Sequence, residues 1–279
     1  MCMRNVKKEI KIKDVLAIIK HIKQKNVMGV DYNNYYNKYN SSDNDVVSWK
    51  GDNSIVFIVS EEYVNRTFFY SSDIRELSEL LKLVPKGCVL DYVSKELPKE
   101  LDGALSVSGF VQHAIYARRT LPVPYETTKG DRKFKELMKR LYKPDLGEPA
   151  TNADIPEIKR IMFETFDPIN SDIPTSDELL EDIKNKNVWI YKLNDEIVTM
   201  YIYRIYGNRR YGAMTYNRLS ADYLSSLVTN ANLESERTHS IKFHYGWIDI
   251  SNKKIIRSLE KEGVLGLDGI RNYIFQKCV

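Results

Sequence analysis

The sequence predicts an α/β protein of two units in tandem, each a mostly antiparallel mixed sheet flanked by helices. Three observations predict it. The chain has 279 residues, more than one small domain needs. Runs of β-branched and aromatic residues alternate with stretches of helical periodicity in the same order in both halves. Between the halves, Thr120 to Asp145 changes composition, with Pro122, Pro124 and Pro144 around a basic helical segment, RKFKELMKRLYK. The expected division is residues 1–120, a linker over 121–145, and 146–279.

In the first half, Ile12, Val15, Ile18, Ile19 and Ile22 form one stripe and predict a helix from Ile12 to Gln24. The polar passage DYNNYYNKYNSSDND has no apolar periodicity and fits a helix followed by a surface loop. SIVFIVS (Ser54–Ser60) and VNRTFFY (Val64–Tyr70) predict a hairpin of two strands. A helix follows over Ile74–Val84, closed by Pro85 and Gly87. Then come a short strand over Cys88–Val93, a helix over Pro98–Leu105 and a strand over Phe110–Arg118.

The second half repeats the order. Asn152 to Phe166 has a capping residue, Pro and Glu in the first turn, and a stripe of Ile155, Ile158, Ile161, Met162 and Phe166. Ser176 is the expected cap of the next helix. Strands are predicted at Val188–Leu193, Ile197–Ile205 and Arg210–Tyr216, then a helix at Ser220–Asn230. Ile241–Ile250 reads as a strand, Lys253–Glu262 as a helix and Gly269–Lys277 as the closing strand. That closing piece, GIRNYIFQK, aligns with VQHAIYARR of the first half.

Composition narrows the function classes. Hydrophobic residues at 43% and charged residues at 29% suit a protein with real cores. The net charge of +4 is too small to announce a nucleic-acid partner. Lys129 to Lys143 reads as a linker helix with a solvated face or as an anion contact. Cys2, Cys88 and Cys278 are far apart and odd in number, which fits a reducing cytoplasm. No signal peptide, membrane span, metal-ligand spacing, Walker loop, dinucleotide fingerprint or nucleophile elbow is apparent.

Three stretches carry a resemblance. They are EPATNADIPEI from Glu148, WIYKLNDEIVTMYI from Trp189, and WIDISNKKIIRSLEKEGV from Trp247. In their joint order they resemble the GNAT superfamily of acyl-CoA-dependent N-acyltransferases, over roughly Leu146 to Val279. The first half resembles it more faintly, through its pattern and Gly109-Phe110. The resemblance implies acetyl-CoA or another acyl-CoA as co-substrate, no metal, and an amine on a small molecule or peptide as acceptor. It implies a sheet that opens between two strands, so that the pantetheine arm pairs with an exposed edge. The pyrophosphate then rests on the following helix N-terminus, where unpaired N–H groups favour anions.

On that reading Met214, Tyr216, Asn217, Arg218, Leu219, Ser220, Ala221 and Asn252 are the cofactor-binding candidates. Two departures from the family pattern stand out. The phosphate loop, Tyr216 to Asp222, has no glycine, and Asp222 repels a phosphate. Leu259 stands where the family commonly has a Tyr that protonates the leaving thiolate, and leucine cannot donate a proton. An ammonium must lose its proton before it attacks, so a base is required. Asp249, His244 and Tyr216 are the catalytic candidates, with Glu196 nearby. Each has a plainer alternative: His244 as a half-buried strand residue, Asp249 as a turn cap, Asn252 as a helix cap. Two other functions compete with acyl transfer to an amine. One is a non-catalytic acyl-CoA sensor or interaction module. The other is a tRNA-dependent aminoacyl transferase, which uses such domains in pairs.

Overall fold

The computed structural model describes residues 8–26, 29–35, 45–123, 136, 143, 145–262 and 265–279. Apart from Glu136 and Lys143, the basic linker helix expected over 132–143 lies outside these, as do the Gly263-Val264 pair and most of the Asn-rich passage. The chain divides into two compact units, Met1–Ile115 with Ile270–Val279, and Tyr116–Gly269.

Unit 1 contains β1 (Lys8–Lys11), α1 (Ile12–Lys25), β2 (Tyr32–Asn33), β3 (Asp45–Lys50), β4 (Ser54–Ser60) and β5 (Asn65–Ser71). Then follow α2 (Ile74–Lys82), β6 (Val89–Ser94), α3 (Lys99–Val107) and the start of β7 (Phe110–Pro122). Its sheet runs β1-β3-β4-β5-β6-β13, where β13 is Leu267–Lys277. Helices cover both faces, which is why β4 is apolar nearly throughout instead of alternating. On one face Ile12, Val15, Ile19 and Ile22 of α1 pack on Ile55, Phe57 and Phe68. On the other, Leu77, Leu80 and Leu81 of α2 and Leu101 of α3 pack on Val56 and Phe69.

Unit 2 contains the end of β7, then β8 (Glu148–Pro149), α4 (Ile155–Thr165), α5 (Ser176–Lys184), β9 (Val188–Leu193), β10 (Glu196–Tyr206) and β11 (Arg209–Asn217). It continues with α6 (Ala221–Thr238), β12 (Phe243–Asp249) and α7 (Lys253–Glu262). The sheet order is β7-β12-β11-β10-β9-β8. Leu227 and Ala231 of α6 pack on Trp189, Tyr201 and Tyr203. Arg204 of β10 is tied to α5 by Asp182 at 3.0 Å.

The structure departs from the sequence expectations in specific ways. Thr175, one residue before Ser176, caps α5: its hydroxyl accepts from Glu178 N, and Glu178 reaches back to Thr175 N. A similar box joins Thr151 and Asp154 ahead of α4. The short strands β1, β2 and β3 were not expected. The closing strands also fall on the far side of the expected boundary. Arg271 to Gln276 of β13 pair antiparallel with Ser94 to Val89 of β6, in unit 1. Tyr116 to Pro122 of β7 pair antiparallel with Asp249 to Phe243 of β12, in unit 2. The two strands are alike in sequence. Each lies beside the strand that precedes the other in the chain.

Candidate functional site

The sheet of unit 2 opens between β11 and β12. These strands are parallel and share four rungs, Arg209–Phe243, Arg210–His244, Tyr211–Tyr245 and Gly212–Gly246. Beyond Gly212, β11 pairs with β10 while Trp247 to Asp249 pair with β7. The divergence has a local cause. Tyr203 pairs with Gly212 and Ile202 with Met214, so Ala213 is an extra residue, a bulge where the ladder to β12 stops. At the vertex two glycines face one another. A Cβ on Gly212 would lie 3.2 Å from His244 Cε1, and one on Gly246 would lie 3.4 Å from Gly212 O. No side chain from that rung enters the opening.

Among the described residues no segment pairs with the edge of β11 over 213–217, which faces the gap. The loop that follows is shaped by Asn217. Its Oδ1 accepts from Thr199 Oγ1 at 2.9 Å and Leu219 N at 3.2 Å, and its Nδ2 donates to Leu219 O and Ser220 O. A side-chain amide here does the bracing that leaves a glycine-free loop tightly turned. Ser220 is the N-cap of α6 but makes no side-chain cap bond, and Ala221 and Asp222 behind it are exposed. The start of this helix therefore presents N–H groups and the positive dipole end. Lys143 lies over the Tyr223 ring at 5.3 Å, in the same first turn. Arg218 lies 3.6 Å from Glu196, both well exposed.

The sequence candidates fall in three places. Met214, Tyr216, Asn217, Arg218, Leu219, Ser220 and Ala221 lie consecutively or nearly so along the free edge and the entry to α6. Asn252 is exposed at the start of α7, where its Oδ1 accepts from Ile255 N at 3.2 Å. Asp249 ends β12, with Oδ1 accepting from Ser251 N at 2.7 Å. These are the capping arrangements given above as the plainer alternatives. His244 is buried in the closed part of the ladder. Arg210 Nε donates to its Nδ1 at 3.4 Å, which leaves the ring proton on Nε2. Burial, then Arg210 and Arg119, hold its pKa down at about 3.

That depression has a measurable consequence for stability. The unfolded chain binds a proton at His244 below its ordinary 6.5, and the folded chain binds none until about pH 3. Between those values the unfolded state holds the extra proton, so stability falls as pH falls from 6.5 toward 3. His244→Gln is expected to flatten the acid limb of a urea-midpoint profile between pH 6.5 and 4. An unchanged slope would show that His244 is protonated normally in the folded protein.

Of the tyrosines on the other face of the opening, sequence reasoning reached Tyr211 and Tyr245 as possible lining of an acceptor cleft and missed Tyr116. Tyr211 and Tyr245 stack at 5.1 Å, one rung before the glycines. Tyr116 sits across the ladder from Asp249 and on the same face. Burial, then the Asp249 and Asp167 carboxylates, push its phenol up to about 12. The signal was present in sequence, since Tyr116 ends the VQHAIY run, but that run reads as part of the other unit.

The overall fold is shared with solved proteins. A GCN5-related N-acetyltransferase from Sphaerobacter thermophilus superposes over 83% of this chain and 80% of its own, at a TM-score of 0.54 and 9% identity. The chain has the GNAT fold. It carries that fold twice, in tandem. A conserved protein of unknown function from Staphylococcus epidermidis superposes over 82% of this chain and 93% of its own, at a TM-score of 0.50 and 8% identity. The sequence matches no protein-family model and no curated protein. Among the described residues, no helix of this GNAT-fold chain is long and apolar enough to cross a membrane.

Proposed function

We propose that unit 2 takes up an acyl-CoA, acetyl-CoA first, between β11 and β12 and transfers the acyl group to an amine of a small molecule or peptide. The observation that carries this reading is the four-rung ladder that ends at Gly212 and Gly246. An exposed strand edge calls for an extended chain with amides, and an uncapped helix N-terminus calls for an anion. An acyl-CoA offers both on one molecule. Met214, Tyr216 and Asn217 would lie along its arm, and Arg218, Leu219, Ser220 and Ala221 around its phosphates. Asn252 caps α7 and is the weakest member of the set.

An acyl-CoA supplies an activated acyl carbonyl, and the proton movements fall to the chain. The ammonium must surrender a proton before its nitrogen attacks, and the departing thiolate must gain one. His244, with its depressed basicity, is a poor acceptor. Asp249 suits the role better, because Oδ1 alone is engaged by Ser251 N. Tyr216 is half-buried on the strand that borders the opening and serves to orient the acceptor. Tyr116 keeps its phenolic proton at neutral pH and stands beside Asp249, so it can supply the proton that Leu259 cannot.

Incubation with acetyl-CoA and a panel of primary amines is expected to release CoA thiol in an amine-dependent way. Acetyl-CoA alone should raise the melting temperature, since a ligand at a hundred times its Kd adds about 2.7 kcal/mol. Neither effect at millimolar acetyl-CoA would remove the proposal. A second reading, acyl-CoA binding without turnover, is favoured by Leu259, which cannot protonate a leaving thiolate. A melting shift with no thiol release from any amine selects it.

A further inference from the structure

The inference rests on the reading of unit 2 as the acyl-CoA site and concerns the other unit. Unit 1 opens at the corresponding place. Its parallel strands β5 and β6 share one rung, Arg66 with Val89, and then part. Here no bulge interrupts β5, which stays in register with β4 from Asn65 to Ser71. The gap is filled from within. Tyr32 and Asn33 form β2, antiparallel to Ser71 and Tyr70 on the very edge that faces the opening.

Asn34 completes the filling. Its backbone N donates to Phe69 O at 3.4 Å, and its Oδ1 accepts from Phe69 N at 2.7 Å. Its Nδ2 donates to Thr67 O at 3.0 Å on β5 and to Asp91 O at 2.9 Å on β6. One buried side-chain amide thereby spans both diverging strands with both donor hydrogens and its acceptor in use. The helix that follows β5 is satisfied as well. Asp73 Oδ1 accepts from Arg75 N at 2.9 Å and Glu76 N at 3.2 Å at the start of α2. Its carboxylate sits where an anion is favoured. Among the described residues unit 2 shows the opposite on both counts, a bare edge over 213–217 and a Ser220 that makes no side-chain cap bond.

We propose that unit 1 is a sealed copy of the slot, in which Tyr32 to Asn34 stand in for an extended ligand and Asp73 for its anion. The whole chain therefore binds one acyl-CoA, in unit 2. Amide hydrogen exchange on the full chain tests this, with acetyl-CoA as the probe. Acetyl-CoA is expected to saturate at one equivalent and to slow exchange over 213–223, leaving 67–76 unchanged. Asn34→Ala is expected to speed exchange at Phe69 at least tenfold. Asn34→Asp, which keeps the acceptor and loses both donors, gives a smaller release and replaces Asn34→Ala if that variant does not fold. Slowing at 67–76 on adding acetyl-CoA overturns the seal even where binding occurs. Absence of binding anywhere removes the function proposed for unit 2 instead. In that case an unchanged Phe69 rate in the Asn34 variants would overturn the seal on its own.

Discussion

Removing Ile270–Val279 is expected to unfold unit 1 and leave unit 2 folded. The segment supplies β13 to the ladder with β6, and it buries Tyr273, Ile274 and Phe275. At about 1.5–3 kcal/mol for each large apolar side chain, the loss is about 5–9 kcal/mol, against a whole-domain stability of about 5–15. The cut also strips the edge of β6 and removes Lys277, whose ammonium donates to Ser108 O and Leu81 O. Unit 2 keeps Asp268, which Arg118 Nε and Thr120 Oγ1 hold at 2.7 and 2.9 Å. Exchange protection should collapse over β4, β5 and β6 and persist over β9, β10 and β11. A peptide of residues 267–279 added in trans should restore part of the protection. Full protection of β4 to β6 without the segment would show that the ladder to β13 contributes nothing to unit 1.

GIRNYIFQK and VQHAIYARR announce themselves as strands through alternation and β-branched or aromatic content, and both are strands. Alternation says nothing of which neighbour a strand will pair with, so the two were assigned to the wrong sides of the boundary. The helices with clean apolar stripes, α1 and α4, end within a residue of the expected positions, but α4 starts at Ile155, after a 3-10 turn over Asn152–Asp154. α6 did not. It was expected to stop at Asn230 and runs to Thr238, because its last turns bury Asn232 and Ser235, not apolar residues. A helix whose inward face is polar gives no hydrophobic periodicity to follow. The partner of that polar face is a buried arginine, which composition reads as surface.

In the site, the reading from sequence reached the loop before α6 and the idea of an opening beside it. It missed the two glycines and the bulge that make the opening, since a single Gly in a strand pattern signals a close approach without saying to what. It also offers His244 as a base from its residue type and its place on the strand expected over Ile241–Ile250, with a half-buried strand histidine as the plainer alternative. Type does not reveal that Arg210 lies against the ring, and that neighbour, together with burial, is what removes the basicity.

Arg210→Met is expected to cost about 3–5 kcal/mol, the usual consequence of breaking a buried ionic network by removing one partner. Arg210 has 0% exposure and lies two residues before the vertex at Gly212. Its NH1 donates to Ser235 Oγ at 2.7 Å, to Asn232 O at 3.2 Å and to Glu236 Oε1 at 3.2 Å, while Nε reaches His244. One side chain thus fastens the C-terminal half of α6 to β11 and β12. Methionine fills similar volume but leaves Ser235 Oγ and His244 Nδ1 buried with a donor missing, while Asn232 O keeps the Ser235 hydroxyl. Glu236 is partly exposed and can turn to water, which places the cost toward the lower end of the range. Arg210→Lys keeps the charge and loses the planar fork, so its cost should fall between wild type and Met. Urea unfolding at pH 7 reads these costs. Repeated at pH 5, the Met variant should lose less additional stability than wild type, because His244 regains basicity once the adjacent guanidinium is gone. Burial still acts on the ring, so the recovery is partial. Equal midpoints for all three proteins at pH 7 would mean that α6 is held by its apolar face alone, through Leu227 and Ala231, and that Arg210 is a bystander in the sheet.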